Sequence, residues 1–260
     1  MRRGGAGRRR AAQNGFYGTE GRSVKDNVRV LDSIPVDVDV PSVLKTMKAS
    51  AANKRMEAEL PELIEEAKRV IRPRVMYAVS QVTGVGGNRL EVEGVAFTHH
   101  VPSLNFSEGE RVFPYVATCG LEIEELKYPG SVMKDYCLNM IKNVVLMRAG
   151  NYFKDHLKNT YLLQDLSRIG PGEAMGDVSQ QHKLFSLLGD VEIAIGVRLS
   201  AHNMMVPEKS TSGIYFETAI GIESCQLCPN RCRARRAPYD PDLLKTFRKD
   251  AHPPESRPGI

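Results

Sequence analysis

The chain has 260 residues, 42% of them hydrophobic and 26% charged, with a net charge of +5; this suits one large domain or two small ones and leaves enough apolar material for a sizeable core. No apolar run approaches the ~18 residues that a membrane helix needs, and no hydrophobic stretch follows the N-terminal arginines, so a membrane span and a secretion signal are both excluded and the cytoplasm is the expected location. The charge is uneven: residues 1–30 hold eight Lys/Arg against two Asp/Glu, residues 225–260 eight against four, and residues 31–224 twenty against twenty-five.

The mildly acidic stretch lacks the basic face through which phosphate neutralisation drives nucleic-acid binding, which argues against a nucleic-acid partner. The expected organisation is a disordered basic tail over 1–30, a globular body over 31–224 and a cysteine-containing basic tail over 225–260.

Within the body, Val36 to Val40 leads to Pro41, which suits a first helical turn, and Val43, Leu44 and Met47 follow at helical spacing. A polar linker at 51–55 precedes a helix over about 60–71, where Leu60, Leu63, Ile64, Ala67, Val70 and Ile71 form one stripe that Pro73 ends. That stripe is expected to pack on a sheet. Val75, Tyr77 and Val79 alternate, a glycine-rich turn follows at Gly84 to Asn88, and Leu90 and Val92 alternate after it, which predicts a hairpin rather than a dinucleotide-binding loop. His99 and His100 are adjacent, would face opposite sides of a strand, and are expected in a loop or at the surface.

Val112 to Thr118 reads as a strand closed by Cys119 and Gly120, and a long helix is predicted over 132–156. Cys119 and Cys137 are assigned to packing as small apolar residues. Asp177 and Gln180 form a helix-starting pair ahead of Leu184, Phe185, Leu187 and Leu188, with Gly189 as a stop. Val191, Ile193, Ile195, Val197 and Leu199 alternate without a break and give the clearest strand signal, and another strand is predicted over 213–220. No internal repeat is present. Helices and strands interspersed with hairpins predict an α+β fold with an antiparallel or mixed sheet and packed helices.

Three segments carry chemistry. The first is the loop Arg168-Ile169-Gly170-Pro171-Gly172-Glu173 between two predicted helices. A Pro-Gly pair fixes a turn and lets backbone approach a ligand, and an arginine can grip a carboxylate through two hydrogen bonds. Taken alone, it reads equally as a connector with a solvated arginine. The second segment is Ile195-Gly196-Val197-Arg198-Leu199, followed by Met204-Met205-Val206-Pro207-Glu208-Lys209-Ser210-Thr211-Ser212-Gly213-Ile214-Tyr215.

The order R-x-x-P-G, a capped helix, I-G-V-x-L and M-M-x-P-x-K-S-x-S-G-I resembles the activation domain of vitamin-B12-dependent methionine synthase. The Ala117-Thr118-Cys119-Gly120 strand end also suits that family, and the likeness spans roughly residues 60–221. The resemblance implies a bent, helmet-shaped α+β domain that binds S-adenosylmethionine and caps a cobalamin domain, where oxidised cob(II)alamin is reduced and remethylated. By position it implies that Arg168 holds the methionine carboxylate, that the backbone around Pro171 and Gly172 meets the adenosine, and that Tyr215 lies along the ligand. It also implies that an acidic residue near the domain start, Asp39 or Asp37, contacts the ligand amino group. The sequence departs from the family at Glu173, where Tyr is common, so an aromatic wall of the pocket is missing. No methyl-transfer, folate or cobalamin module accompanies the domain, so its expected partner is a cobalamin-binding methionine synthase or related corrinoid protein.

The third segment is Cys225-Gln226-Leu227-Cys228-Pro229-Asn230-Arg231-Cys232. C-x2-C-x3-C brings three soft thiolates within reach of one centre, and Arg231, Arg233, Arg235 and Arg236 favour their ionised form. Three thiolates suit a [4Fe-4S] cluster with one iron open, or zinc with a fourth ligand such as His252; a thiol redox pair is the remaining chemistry. The spacing reverses the C-x3-C-x2-C of radical S-adenosylmethionine enzymes and no barrel-like series follows it, which excludes that class. No spacing proposes a nucleophile with its base and orienting acid.

Two functions follow. One is an S-adenosylmethionine-binding accessory protein for cobalamin reactivation, with a ferredoxin- or flavodoxin-like electron donor feeding the cysteine motif. The other is a zinc- or iron-sulfur-stabilised interaction or electron-transfer module that does not bind S-adenosylmethionine, which Glu173 favours. Anaerobic purification followed by iron, sulfide and zinc analysis is expected to find metal that disappears when Cys225, Cys228 and Cys232 are all changed to serine. Equal metal content in both proteins rejects the site.

Overall fold

The computed structural model describes residues 26–47, 54–99, 106–218, 224–227 and 237–243. Strand β1 (Val28–Leu31) is followed by helices α1 (Val40–Met47) and α2 (Lys54–Val70). β2 (Arg74–Ala78) and β3 (Ser80–Gly86) are interrupted only at Val79, and β4 (Arg89–Val92) and β5 (Val95–Thr98) fold back from β3 in successive hairpins. β6 (Arg111–Thr118) leads through a 3-10 turn to the 30-residue helix α3 (Val132–Tyr161). Then come β7 (Asp165–Ile169), α4 (Gln181–Leu188), α5 (Val191–Ile195), the small hairpin β8 (Arg198–Leu199) and β9 (Met205–Val206), β10 (Ser210–Thr218) and α6 (Ser224–Leu227).

β6 is buried at seven of its eight positions because the sheet continues from both of its edges and helices cover both of its faces. β2 and β3 share one edge, and β10 runs antiparallel along the other from Ser210↔Thr118 to Phe216↔Val112, with β7 beyond it. Every pairing is antiparallel, so the α+β fold carries a curled antiparallel sheet rather than a mixed one.

Alternate β6 side chains sort into two cores. Val112 and Val116 join Leu184, Leu188, Val191 and Ile195 from α4 and α5. Phe113, Tyr115 and Ala117 meet Ala149, Phe153 and Leu157 from the C-terminal half of α3. The N-terminal half of α3 enters a third cluster with Val43 of α1 and with Leu60, Leu63, Ile64 and Ala67 of α2.

Several sequence expectations change. The stripe of α2 buries against α1 and α3, not on the sheet, whose faces are covered by other helices. The expected polar linker ends early, since Lys54 and Arg55 are already helical. The hairpin joins β3 to β4, while Val75 and Tyr77 pair with β1 and β6. β1 begins at Val28, and Leu243 packs against the first core. His99 lies just past β5 outside any strand, as the loop alternative expects, but it is buried at 2% exposure with its ring 6.3 Å from that of Phe106 rather than at the surface; His100 and most of the 1–30 tail fall outside the described residues.

The expected strand at 191–199 is mostly helix. Asp190 caps α5 through its carboxylate, which accepts from the Ile193 N–H at 3.2 Å, and Gly196 closes it in the left-handed region at φ 76°. Val191 and Ile195, four residues apart, are buried, while Ile193 is 80% exposed. A five-residue alternation satisfies helical i,i+4 spacing as well as strand spacing, so the caps decide. Asp177 does start a turn, accepting from the Ser179 N–H, but the Gln180 amide reaches across to Thr98 instead of completing the cap.

Cys119 and Cys137 are buried, as their packing assignment expects, and burial pushes the Cys119 thiol up to about 12, which keeps it protonated. Among the described residues no helix is long and apolar enough to cross a membrane. Asp190→Ala should lower the unfolding free energy in urea by ~1 kcal/mol, the usual cost of a lost N-cap. An unchanged value would remove the cap's role.

Candidate functional site

The register of β10 assembles the site. Tyr215 lies opposite Arg168 of β7 on one side and Phe113 of β6 on the other, and Gly213 lies opposite Tyr115. The glycine is required by this approach, because a Cβ there would stand 2.5 Å from the Ile169 carbonyl oxygen and 3.4 Å from the Tyr115 ring. The Tyr115 and Tyr215 rings stack at 5.0 Å and 27°, and Phe153 of α3 packs on both at 5.1 and 5.7 Å.

Arg168 sits beside this aromatic group with its side chain only 3% exposed. The expected loop is therefore a strand at this point, and the arginine is not solvated. Nη1 donates to the Tyr115 hydroxyl and to the Ser212 carbonyl, each at 3.2 Å, and Nη2 donates to Glu173 Oε2 at 2.5 Å. Burial works against the charge, but Tyr115 and Glu173 outweigh it, so the guanidinium pKa is raised above its ordinary value.

The segment after β7, which carries Glu173, is a tight turn. Glu173 and Met175 both donate backbone N–H bonds to the Gly170 carbonyl at 3.1 Å, and Gly172 donates to Gly176 at 2.9 Å. Pro171 precedes Gly172, whose φ of 77° favours glycine. Gly170 allows the close crossing of β10, since a Cβ there would lie 2.9 Å from the Ser212 carbonyl oxygen. Ser212 Oγ in turn donates to Gln181 Oε1 at 2.7 Å, tying β10 to α4.

Of the residues expected from the sequence, the structure thus brings Arg168, Glu173 and Tyr215 together, with Pro171 and Gly172 in the turn that joins β7 to Glu173. Asp39 belongs to another set of contacts. Its carboxylate accepts from the Ser42 N–H at 2.8 Å as the cap of α1, which holds its pKa below the ordinary value, and it pairs with Arg148 of α3 at 3.0 Å. Asp37 pairs with the same arginine at 2.8 Å. Cys225 is half-buried on α6, while Cys228, Cys232 and His252 lie outside the described residues.

Tyr115, Ser212 and Gln181 were not expected at the site. The available signal was a tyrosine inside an otherwise apolar strand, since a buried phenol requires a hydrogen-bond partner.

A scan against protein-family models finds no match, and a search of curated proteins finds none either. Among solved structures, the crystal structure of the MetH reactivation domain bound to AdoHcy is similar, with a TM-score of 0.55 and 14% sequence identity over 73% of this chain and 78% of that chain. The likeness defines the architecture: this chain has the fold of the methionine synthase reactivation domain.

Gly213→Ala forces a methyl group into the Ile169 carbonyl and should cost about 2 kcal/mol or more of stability, since overpacking a tight interior displaces backbone. Chemical denaturation measures it, and a neutral result would remove the close approach of β10 to β7.

Proposed function

We propose that this chain binds S-adenosylmethionine beside Arg168 and serves the reactivation of a cobalamin-dependent methyltransferase of the methionine synthase kind. The observation that carries the reading is a buried arginine, held by a tyrosine hydroxyl and a strand carbonyl and followed in sequence by a Pro-Gly turn, in a fold shared with a domain known with AdoHcy bound. The ordered motifs from Arg168 to Tyr215 support the same reading.

On this reading the partner is a corrinoid protein, and the chemistry supplied by its cobalamin is acceptance of one electron and then of the sulfonium methyl group, with AdoHcy left behind. This chain contributes binding and orientation. Arg168 fixes the charged end of the ligand's site, the turn at Pro171 and Gly172 offers backbone to the adenosine, and Tyr215 supplies an aromatic wall. Cys225, Cys228 and Cys232 have the soft donor set suited to a [4Fe-4S] cluster, which would carry the electron from a ferredoxin- or flavodoxin-like donor, or to a zinc ion that would brace the segment.

One observation favours a second reading. The Arg168–Glu173 pair is complete within the chain, which suits an interaction module whose pocket no longer takes a ligand. Calorimetry separates the two. S-adenosylmethionine should bind the wild-type protein, and Arg168→Ala should weaken binding about tenfold or more, as expected for loss of a charge-assisted contact. Absence of binding by both the wild type and Glu173→Tyr, in which the family's aromatic residue is restored, would leave the interaction module as the function.

A further inference from the structure

A cavity of about 210 Å³ lies beyond the C-terminal end of β6, between the 3-10 turn Glu122–Glu125, the first turns of α3 and the link from β9 to β10. Lys142 of α3 and Lys209 of the link both line it. Cys119 fixes the backbone of each: its N–H donates to the Lys209 carbonyl and its thiol to the Lys142 carbonyl, both at 3.1 Å. Two lysines 67 positions apart in the chain are thus pinned to one buried residue, and their side chains meet in one cavity.

The inner side of this cavity is short of hydrogen-bond acceptors. An ammonium can donate three hydrogen bonds. Among the described residues Lys142 makes one, to Glu124 at 2.8 Å, and Lys209 makes one, to Glu208 at 3.2 Å. Both lysine side chains are nearly buried, at 12% and 16% exposure, whereas their glutamates lie on the solvent side at 41% and 80%. Asn139, one turn before Lys142, also lines the cavity, and its Oδ1 is covered without a partner among the described residues. With that oxygen covered, the amide N–H is what Asn139 can offer a ligand.

The charges around the cavity are equal in number but not in effect. Lys127, Lys142 and Lys209 face Glu124, Asp135 and Glu208. The Cys119 thiol reports the field behind them. Burial raises its pKa, and the lysines pull it back in the order Lys142, Lys209, with Glu124 opposing them more weakly. The inner end is therefore positive.

We propose that this cavity binds a tetrahedral oxyanion, a phosphate group, through the ammoniums of Lys142 and Lys209 and the amide N–H of Asn139. The site shares no residue with the one at Arg168 and does not depend on S-adenosylmethionine binding. Two cations match a dianion, and donors that converge from a helix and a loop suit oxygens pointing in several directions, as those of phosphate do and those of a planar carboxylate do not. Glu208 is the group that the anion displaces, because a pair so exposed contributes little.

Calorimetry on the full chain, in chloride buffer at constant ionic strength, tests this with inorganic phosphate, methyl phosphate and acetate. Phosphate should bind the wild type about tenfold or more tightly than acetate, and Lys209→Met, with its fold checked by thermal melting, should weaken phosphate about tenfold, the value of one charge-assisted contact. Glu208→Gln, a change at a solvent-facing side chain, should tighten phosphate about threefold by removing the competing carboxylate. Methyl phosphate binding as well as inorganic phosphate assigns the site to a phosphate borne on a larger molecule, and binding of inorganic phosphate alone assigns it to the free ion; either upholds the proposal. Acetate binding as tightly as phosphate, phosphate binding that Lys209→Met leaves unchanged, or no phosphate binding to the wild type overturns it, and the two lysines then serve only their ion pairs.

Discussion

Burying the guanidinium of Arg168 constrains everything around it. A permanent cation at 3% exposure is tolerated only if its donors and its charge are both answered, and leaving such a charge without its partner costs several kcal/mol. The answering groups come from β6, from β10 and from the turn after β7. They converge only if β10 lies between β6 and β7 in the observed register, with glycine at 213 to let the strands close. The strand order, the aromatic stack and the tight turn are thus one arrangement, with a charge at its centre.

α3 holds that arrangement against the rest of the molecule. Its C-terminal half covers the sheet with Ala149, Phe153 and Leu157, and its N-terminal half is packed by α1 and α2. The helix therefore joins two cores. Arg148, between the halves, pairs with Asp37 and Asp39 and secures the segment entering α1. Exposed pairs of this kind contribute little stability individually, at ~0–1 kcal/mol, so their effect is on position.

The shared architecture and the local departure at Glu173 are separate matters. At 14% identity the fold is shared by largely different side chains, which cores tolerate when total volume and patterning are kept. What a pocket binds is decided by a few groups placed on the fold, not by the fold. Here one such group is a carboxylate bonded to the arginine that the resemblance would assign to ligand. A single side chain can therefore change the charge that a site presents while leaving every strand in place.

By itself the sequence determined the elements whose signals are local. The stripe of α2 ending before Pro73, the long α3, the stop at Gly189 and the α+β class were legible because periodicity and chain-breaking residues act within a few positions. The R-x-x-P-G loop and its order relative to the later motifs were legible in the same way. Tertiary structure decided the rest. Whether Val191 to Ile195 coils or extends depended on Asp190 and Gly196 and on which residues found a core. Which surface α2 covers depended on the other helices already occupying the sheet. That Arg168 is interior could not be read from Asp-Leu-Ser-Arg-Ile, a strand with two charged residues, because its burial depends on Ser212, 44 positions away, and Tyr115, 53 positions away, as well as on nearby Glu173. A buried charge is a property of its partners, and partners at that separation are brought together only by the fold.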